Sequence, residues 1–132
     1  MNGNVFFQAQ TKYFPEVKVD ADKSTLEFKG RALPHSLEQM QQIAEWIKLF
    51  FEQKHKGIAF IVSLEYSNNV FYRFLNDCFI LAKRASKEHE VPIFVVWHHE
   101  DDDEEMLADG EDFRDCFPFD FSFVDELLPM NN

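Results

Sequence analysis

Two histidines run directly into six consecutive carboxylates, His98-His99 followed by Glu100-Asp101-Asp102-Asp103-Glu104-Glu105. Imidazole and carboxylate together are the donors of a divalent-metal site or of a general acid–base pair. The spacing speaks against both. A calcium loop needs glycine at its sixth position and glutamate at its twelfth, and counting from Asp101 gives Met106 and Asp112. Adjacent strand residues point to opposite faces, so His98 and His99 cannot chelate one ion on regular backbone. The acidic run reads instead as the solvated first turn of a helix, where the dipole favours negative charge, with steering of a basic partner as its functional use. A metal-binding protein or small enzyme built on His98, His99 and these carboxylates stands as the alternative.

A second cluster is amide and hydroxyl, Tyr66-Ser67-Asn68-Asn69. These groups recognise by hydrogen bonding and carry no acid–base chemistry at neutral pH. Gly-rich phosphate loops, a nucleophile elbow and recognisable Cys/His spacings are absent, and four glycines leave little room for them. No enzyme, no cofactor and no metal is the expectation. Cys78 and Cys116 lack metal or redox spacing and read as buried thiols.

The elements that position these residues follow from periodicity. Tyr13 to Lys29 alternates apolar and polar residues around Asp22-Lys23, as a β-hairpin does. Ser36 and Gln39 form a capping-box signature ahead of Leu37, Met40, Ile43, Ala44, Ile47, Phe50 and Phe51, which recur at helical spacing. Ile58 to Leu64 is almost continuously apolar and reads as a central strand covered on both faces. Asn68 is the expected N-cap of a helix with Phe71, Phe74, Leu75, Cys78, Phe79 and Ala82 inward. That helix ends in Lys83, Arg84 and Lys87, which complement its negative end. Val91 to Trp97 is a second buried strand, and Pro118 to Val124 a last short one. Between them Met106, Gly110, Phe113 and Phe117 form a helical stripe. Gly110 marks either close packing on the sheet or a break, and a helix with a break allowed at Gly110 is the preferred reading. Residues 1–12 are a loose arm or an edge strand through Val5-Phe6-Phe7, residues 13–128 the domain, and residues 129–132 a tail. The fold class is α/β, a single-domain mixed sheet with an N-terminal hairpin and about three helices.

With 132 residues, 45% of them hydrophobic, the chain can bury one core, and most of its 16 phenylalanines belong there. The formal charge of −11 excludes phosphate-rich partners, so neither nucleic acid nor an anionic membrane is expected. Met1-Asn2-Gly3-Asn4 opens no secretory signal, and no apolar run is long enough to span a bilayer. A cytoplasmic location is the expectation.

Several separated segments carry a family resemblance in the same order. Phe14-Pro15-Glu16-Val17, Leu26-Glu27-Phe28-Lys29-Gly30-Arg31, the helix around Trp46, Leu64-Glu65-Tyr66-Ser67-Asn68-Asn69, Trp97 to Leu107 and Gly110-Glu111-Asp112-Phe113 together resemble the bacterial SiaC family of regulatory phosphoproteins. The resemblance spans Tyr13 to Val124. It implies a fold and switching logic like those of anti-sigma-factor antagonists of the STAS type. It further implies a non-catalytic protein that a serine/threonine kinase phosphorylates and a PP2C-type phosphatase restores. The unphosphorylated form of such a protein binds a diguanylate cyclase.

The family pattern is Leu-Glu-Tyr-x-Asn-Thr-Ser-Ser, with the threonine as phosphoacceptor. In this chain the threonine position is Asn69, followed by Val70 and Phe71. Asparagine accepts no phosphoryl group and carries no charge, so the switch is expected to be lost. Ser67 is the nearest hydroxyl and the one candidate for a displaced acceptor. The partner-binding surface expected from the resemblance and the helix start is Tyr66, Ser67, Asn68, Asn69 and Tyr72, with Arg73 at its rim. A structural subunit holding Asn69 in an obligate interface is the remaining alternative.

Overall fold

The computed structural model describes residues 4–130. The expectations for Met1 to Gly3 and for the last two residues of the tail lie outside the described residues.

Six strands form one sheet in sequence order: β1 Val5–Gln8, β2 Glu16–Asp20, β3 Thr25–Ala32, β4 Ile58–Ser67, β5 Ile93–His98 and β6 Asp120–Val124. The first two pairings are antiparallel and the remaining three are parallel. This is the mixed sheet that hairpin-then-crossover chemistry requires. Val5-Phe6-Phe7 is part of an edge strand, in register with β2 from Val5 opposite Asp20 to Gln8 opposite Val17.

Three helices make the crossovers: α1 Gln41–Glu52, α2 Asn69–His89 and α3 Glu104–Cys116. A 3-10 turn, Leu37–Met40, precedes α1, so the capping signature starts this tighter turn first. The Gln39 side chain accepts from the backbone N–H groups of His35, at 2.6 Å, and Ser36, at 3.3 Å.

Cross-strand register sorts the sheet into two faces. One row runs Phe6, Val19, Leu26, Phe60, Val95 and Phe121, and the helices pack on this face. Phe28 meets Phe71 of α2 edge-on at 5.5 Å, Phe60 stacks on Phe79 at 4.5 Å, and Trp97 contacts Phe113 of α3 at 5.7 Å. Burying such rings contributes roughly 1.5–3 kcal/mol each, which makes this aromatic layer the main source of stability.

The opposite face carries no helix, which corrects the reading of the central strands as covered on both sides. The covered positions Ile58, Phe60, Val62 and Leu64 are fully buried, while Ala59 and Ile61 between them are only half-buried. A continuous apolar run does not distinguish helix cover from partial cover by neighbours in the same sheet. Part of the open face is closed by the segment after β6. Leu128 N–H donates to Ser63 Oγ at 2.8 Å, His98 Nδ1–H to the Glu126 carbonyl at 2.9 Å, and Lys29 Nζ to the Pro129 carbonyl at 3.4 Å. Beneath this strap Lys29 pairs with buried Glu16 at 3.1 Å.

One further reading is narrowed and another corrected. The expected helix through Gly110 is present without the break allowed for it, because that glycine admits the sheet: a Cβ there would sit 2.6 Å from the Trp97 ring. Cys116 is exposed, lying near the end of α3 outside its buried stripe, whereas Cys78 is buried and its desolvated thiol is pushed far above its usual range. Most phenylalanines are interior or packed against the core, but Phe7 and Phe94 project from the open face.

Candidate functional site

The β4–α2 corner is built by a bulge and a cap. Register between β3 and β4 slips after Gly30, so that Gly30 faces Leu64 but Arg31 faces Tyr66. Gly30 has φ +108°, a conformation that L side chains rarely adopt, and the Gln10 side chain fills the space where its Cβ would be. The extra residue swings Glu65 and Tyr66 outward at the strand end, as bulges beside functional sites commonly do. Arg31 then covers Tyr66, with its guanidinium 5.6 Å from the ring centroid, and reaches Glu65 at 2.9 Å.

Asn68 closes the corner from both sides. Its side-chain oxygen accepts from Phe71 N–H at 3.0 Å, its amide nitrogen donates to the Pro34 carbonyl at 2.8 Å, and its backbone N–H donates to Ala32 O at 3.0 Å. The N-cap expected from sequence is therefore also the clamp that holds the loop after β3 against α2. Ser67 is buried, and its hydroxyl donates to Asn68 O at 3.1 Å. Asn69 is exposed at the first helical position, and the first turn of α2 contains no acidic residue.

Asn69, Tyr72 and Arg73 come together in one groove of about 430 Å³, completed by Leu37, Asn76 and Asp77. Sharing Tyr72 and Asn76, a smaller hollow of about 230 Å³ continues toward Asp109, Asp112 and Phe113 of α3. The Tyr72 hydroxyl reaches Met106 Sδ at 3.4 Å. Burial first, and then the neighbouring Asp109 carboxylate, push its phenol well above the usual range, so it stays a neutral hydroxyl. Tyr66 stands apart from this groove, while Ser67 and Asn68 form the frame behind it.

Leu37, Asn76 and Asp109 were not singled out from sequence. Asn76 lies one turn beyond Tyr72 and Arg73 on the same helix face, a spacing that was legible. Leu37 and Asp109 come from other elements, and only the folded register brings them there.

The model of the SiaC family regulatory phosphoproteins matches residues 8–126. The chain belongs to the SiaC family. An uncharacterised Pseudomonas aeruginosa protein from strain UCBPP-PA14 is 26% identical over 119 residues, covering 88% of this chain and 94% of the relative. Apo-SiaC from Pseudomonas aeruginosa superimposes with a TM-score of 0.79 at 20% identity, over 92% of this chain and 98% of that one. SiaC of the same organism in complex with the diguanylate cyclase SiaD, which it activates, gives 0.81 at 21% identity, over 90% and 98%. The single-domain mixed sheet with three helices is thus the SiaC architecture, and the family to which the chain belongs is one of regulatory phosphoproteins.

The histidines do not come together in this SiaC-family fold. His98 Nδ1 bonds the Glu126 carbonyl under the strap, and His99 Nδ1 bonds the Glu100 carbonyl at 2.8 Å. Among the described residues, no group of three or more His, Cys, Asp or Glu side chains is arranged to hold a metal ion. Glu100, Asp101 and Asp102 instead line a broad acidic concavity of about 800 Å³ with Glu65, Asp125 and Glu126. No described helix is long and apolar enough to cross a membrane.

Proposed function

We propose that this chain is a non-catalytic cytoplasmic adaptor that binds and regulates a diguanylate cyclase through the groove at the start of α2, without the threonine phosphoswitch. The carrying observation is the exposed, neutral Asn69 at the mouth of that groove, beside Tyr72 and Arg73. A threonine there would present its hydroxyl to a kinase, and phosphate would place nearly two negative charges on the docking face. Asn69 accepts none, so the surface stays in its unmodified form. Ser67 offers no ready replacement, because its hydroxyl is buried and bonded to the next carbonyl.

Neutral amides, an aromatic ring and one guanidinium make a compact recognition patch, and such groups serve well as anchors in a reversible interface. The acidic concavity on the other flank, which includes Glu65, steers a basic partner surface toward the corner. The Pseudomonas aeruginosa SiaC–SiaD complex makes a cyclase the partner to test first.

Calorimetry with a diguanylate cyclase from the same cell tests the reading. Wild type binds, Arg73→Glu and Asn69→Glu each weaken binding at least roughly tenfold, or about 1.4 kcal/mol, and the intact mass stays unchanged after incubation with a serine/threonine kinase that phosphorylates a SiaC-family protein, and ATP. Absence of binding, or a phosphate on Ser67, overturns it.

A further inference from the structure

The groove at the start of α2 does not stop at that helix. Through Tyr72 and Asn76 it opens into the hollow of about 230 Å³ whose far wall is α3, with Asp109, Asp112 and Phe113. Two chemistries meet there. The half-buried Tyr72 and Phe113 rings, 6.3 Å apart and tilted by 60°, give the hollow aromatic walls. Asp109 and Asp112 line it from one side of α3, where residues three apart are neighbours. Among the described residues neither is in an ion pair, and nor are Asp77 and Arg73 in the adjoining groove. Three carboxylates against one guanidinium leave the joined grooves negative.

The acidic concavity on the other flank makes the contrast. It is broader, about 800 Å³, and Leu127 is the one lining residue there that carries no carboxylate. Such a surface attracts cations at a distance but offers no walls to seat one. The hollow between α2 and α3 is small and walled, and its Tyr72 hydroxyl stays protonated beside Asp109. That hydroxyl can donate to the carboxylate and hold its orientation.

We propose, resting on the reading of this groove as the docking face, that the hollow receives an arginine side chain of the partner protein. Asp109 and Asp112 accept from its guanidinium, and the Tyr72 and Phe113 rings flank it. Charge complementarity selects a cation, and the walls select guanidinium over ammonium. A planar fork spreads its N–H donors over two acceptors, and its weakly hydrated faces lie readily on aromatic rings.

Calorimetry with a diguanylate cyclase from the same cell tests the assignment. Asp109→Asn and Asp112→Asn each weaken binding at least roughly tenfold, the scale of a hydrogen bond between charged groups, and each flattens its salt dependence. Glu45→Gln makes the same change of charge at an exposed position on α1 and leaves the affinity at the wild-type value. Asp112 is exposed, and its side chain makes no described hydrogen bond or ion pair, so its variants keep the fold. Asp112→Arg abolishes binding, and changing one of the cyclase's arginines to aspartate restores it. Wild-type affinity in Asp112→Asn, with Arg73→Glu still weakening binding, overturns the arginine seat and leaves the docking face standing. Wild-type affinity in both variants, or no binding by the wild type, overturns the two together. Rescue of Asp112→Arg only by a lysine-to-aspartate change in the cyclase, or by no change, overturns the assignment to arginine.

Discussion

Two parallel strands of this sheet end in helices, and the two corners solve the same problem with opposite charge. At β4–α2 the cap is Asn68, accepting from Phe71 N–H at 3.0 Å. At β5–α3 it is Asp103, accepting from Met106 N–H at the same 3.0 Å. The α3 corner adds Glu104 and Glu105 in its first turn and so neutralises its own positive helix end. The first turn of α2 contains no acidic residue, and Asn68 and Asn69 at its start are amides. One helix start has supplied its own anion and the other has left the place open. Under the proposed function the phosphoswitch position falls at the open one, where the helix dipole would favour a phosphate and no carboxylate competes within the turn. Asn69 keeps the place open but offers no hydroxyl to fill it.

This contrast is best attacked at the residue that fixes the α3 corner to the sheet. Trp97 is fully buried and donates from Nε1 to the Met106 carbonyl at 2.9 Å. Trp97→Ala should cost about 3–5 kcal/mol in urea unfolding, and hydrogen exchange should show α3 opening well before α2. Equal loosening of both helices would mean that the corners are one unit. Next in size are the caps themselves. Asn68→Ala removes a bond to α2 and another to the Pro34 carbonyl, and should cost about 1.5–2 kcal/mol, against about 1 kcal/mol for Asp103→Ala. A reversed order would show that the clamp to the β3 loop contributes nothing.

Tyr72 joins the two corners, reaching from α2 to Met106 and toward Asp109 on α3. Tyr72→Phe should cost roughly 0.5–1.5 kcal/mol at neutral pH. Its raised phenol gives a pH signature too. The folded state holds the hydroxyl neutral while the unfolded chain ionises near its ordinary 10.0, so the stability is intact below that pH and falls as pH rises above it. The buried Cys78 thiol acts in the same direction from 9.0 upward. Unfolding midpoints scanned across alkaline pH should slope downward in wild type and less so in Tyr72→Phe and Cys78→Ala. The smallest effect is expected at the open corner. Asn69→Asp supplies the missing anion and should stabilise the fold by about 0.3–1 kcal/mol in thermal unfolding, while Glu105→Gln at α3 should lose a comparable amount.

The corner was legible in the sequence because its parts are local. A run of β-branched residues, a short amide and a helical stripe lie within about two dozen positions, and Asn68 caps the helix they imply. The open face was not legible, because Ile61 and Val96 look the same in sequence whether or not a helix covers them. Gly110 carried its ambiguity for a similar reason: a glycine in a helical stripe marks a break or a close approach, and only the Trp97 ring beneath it decides. The polar groove residues divide the same way. Arg73 and Asn76 follow from helical spacing, whereas Asp109 depends on where α3 lands.

Strand order equals chain order throughout the sheet, from β1 to β6. In folding terms, no strand has to be threaded between two that are already paired. Each new strand adds to the edge that its predecessor has just made, and each crossover helix closes a loop between nearest neighbours. Loop-closure entropy is thus met in small increments, a property that favours fast folding and few traps. The same sequence of additions leaves one growing edge at every stage, so a chain interrupted midway exposes its most recent strand to whatever strand comes next.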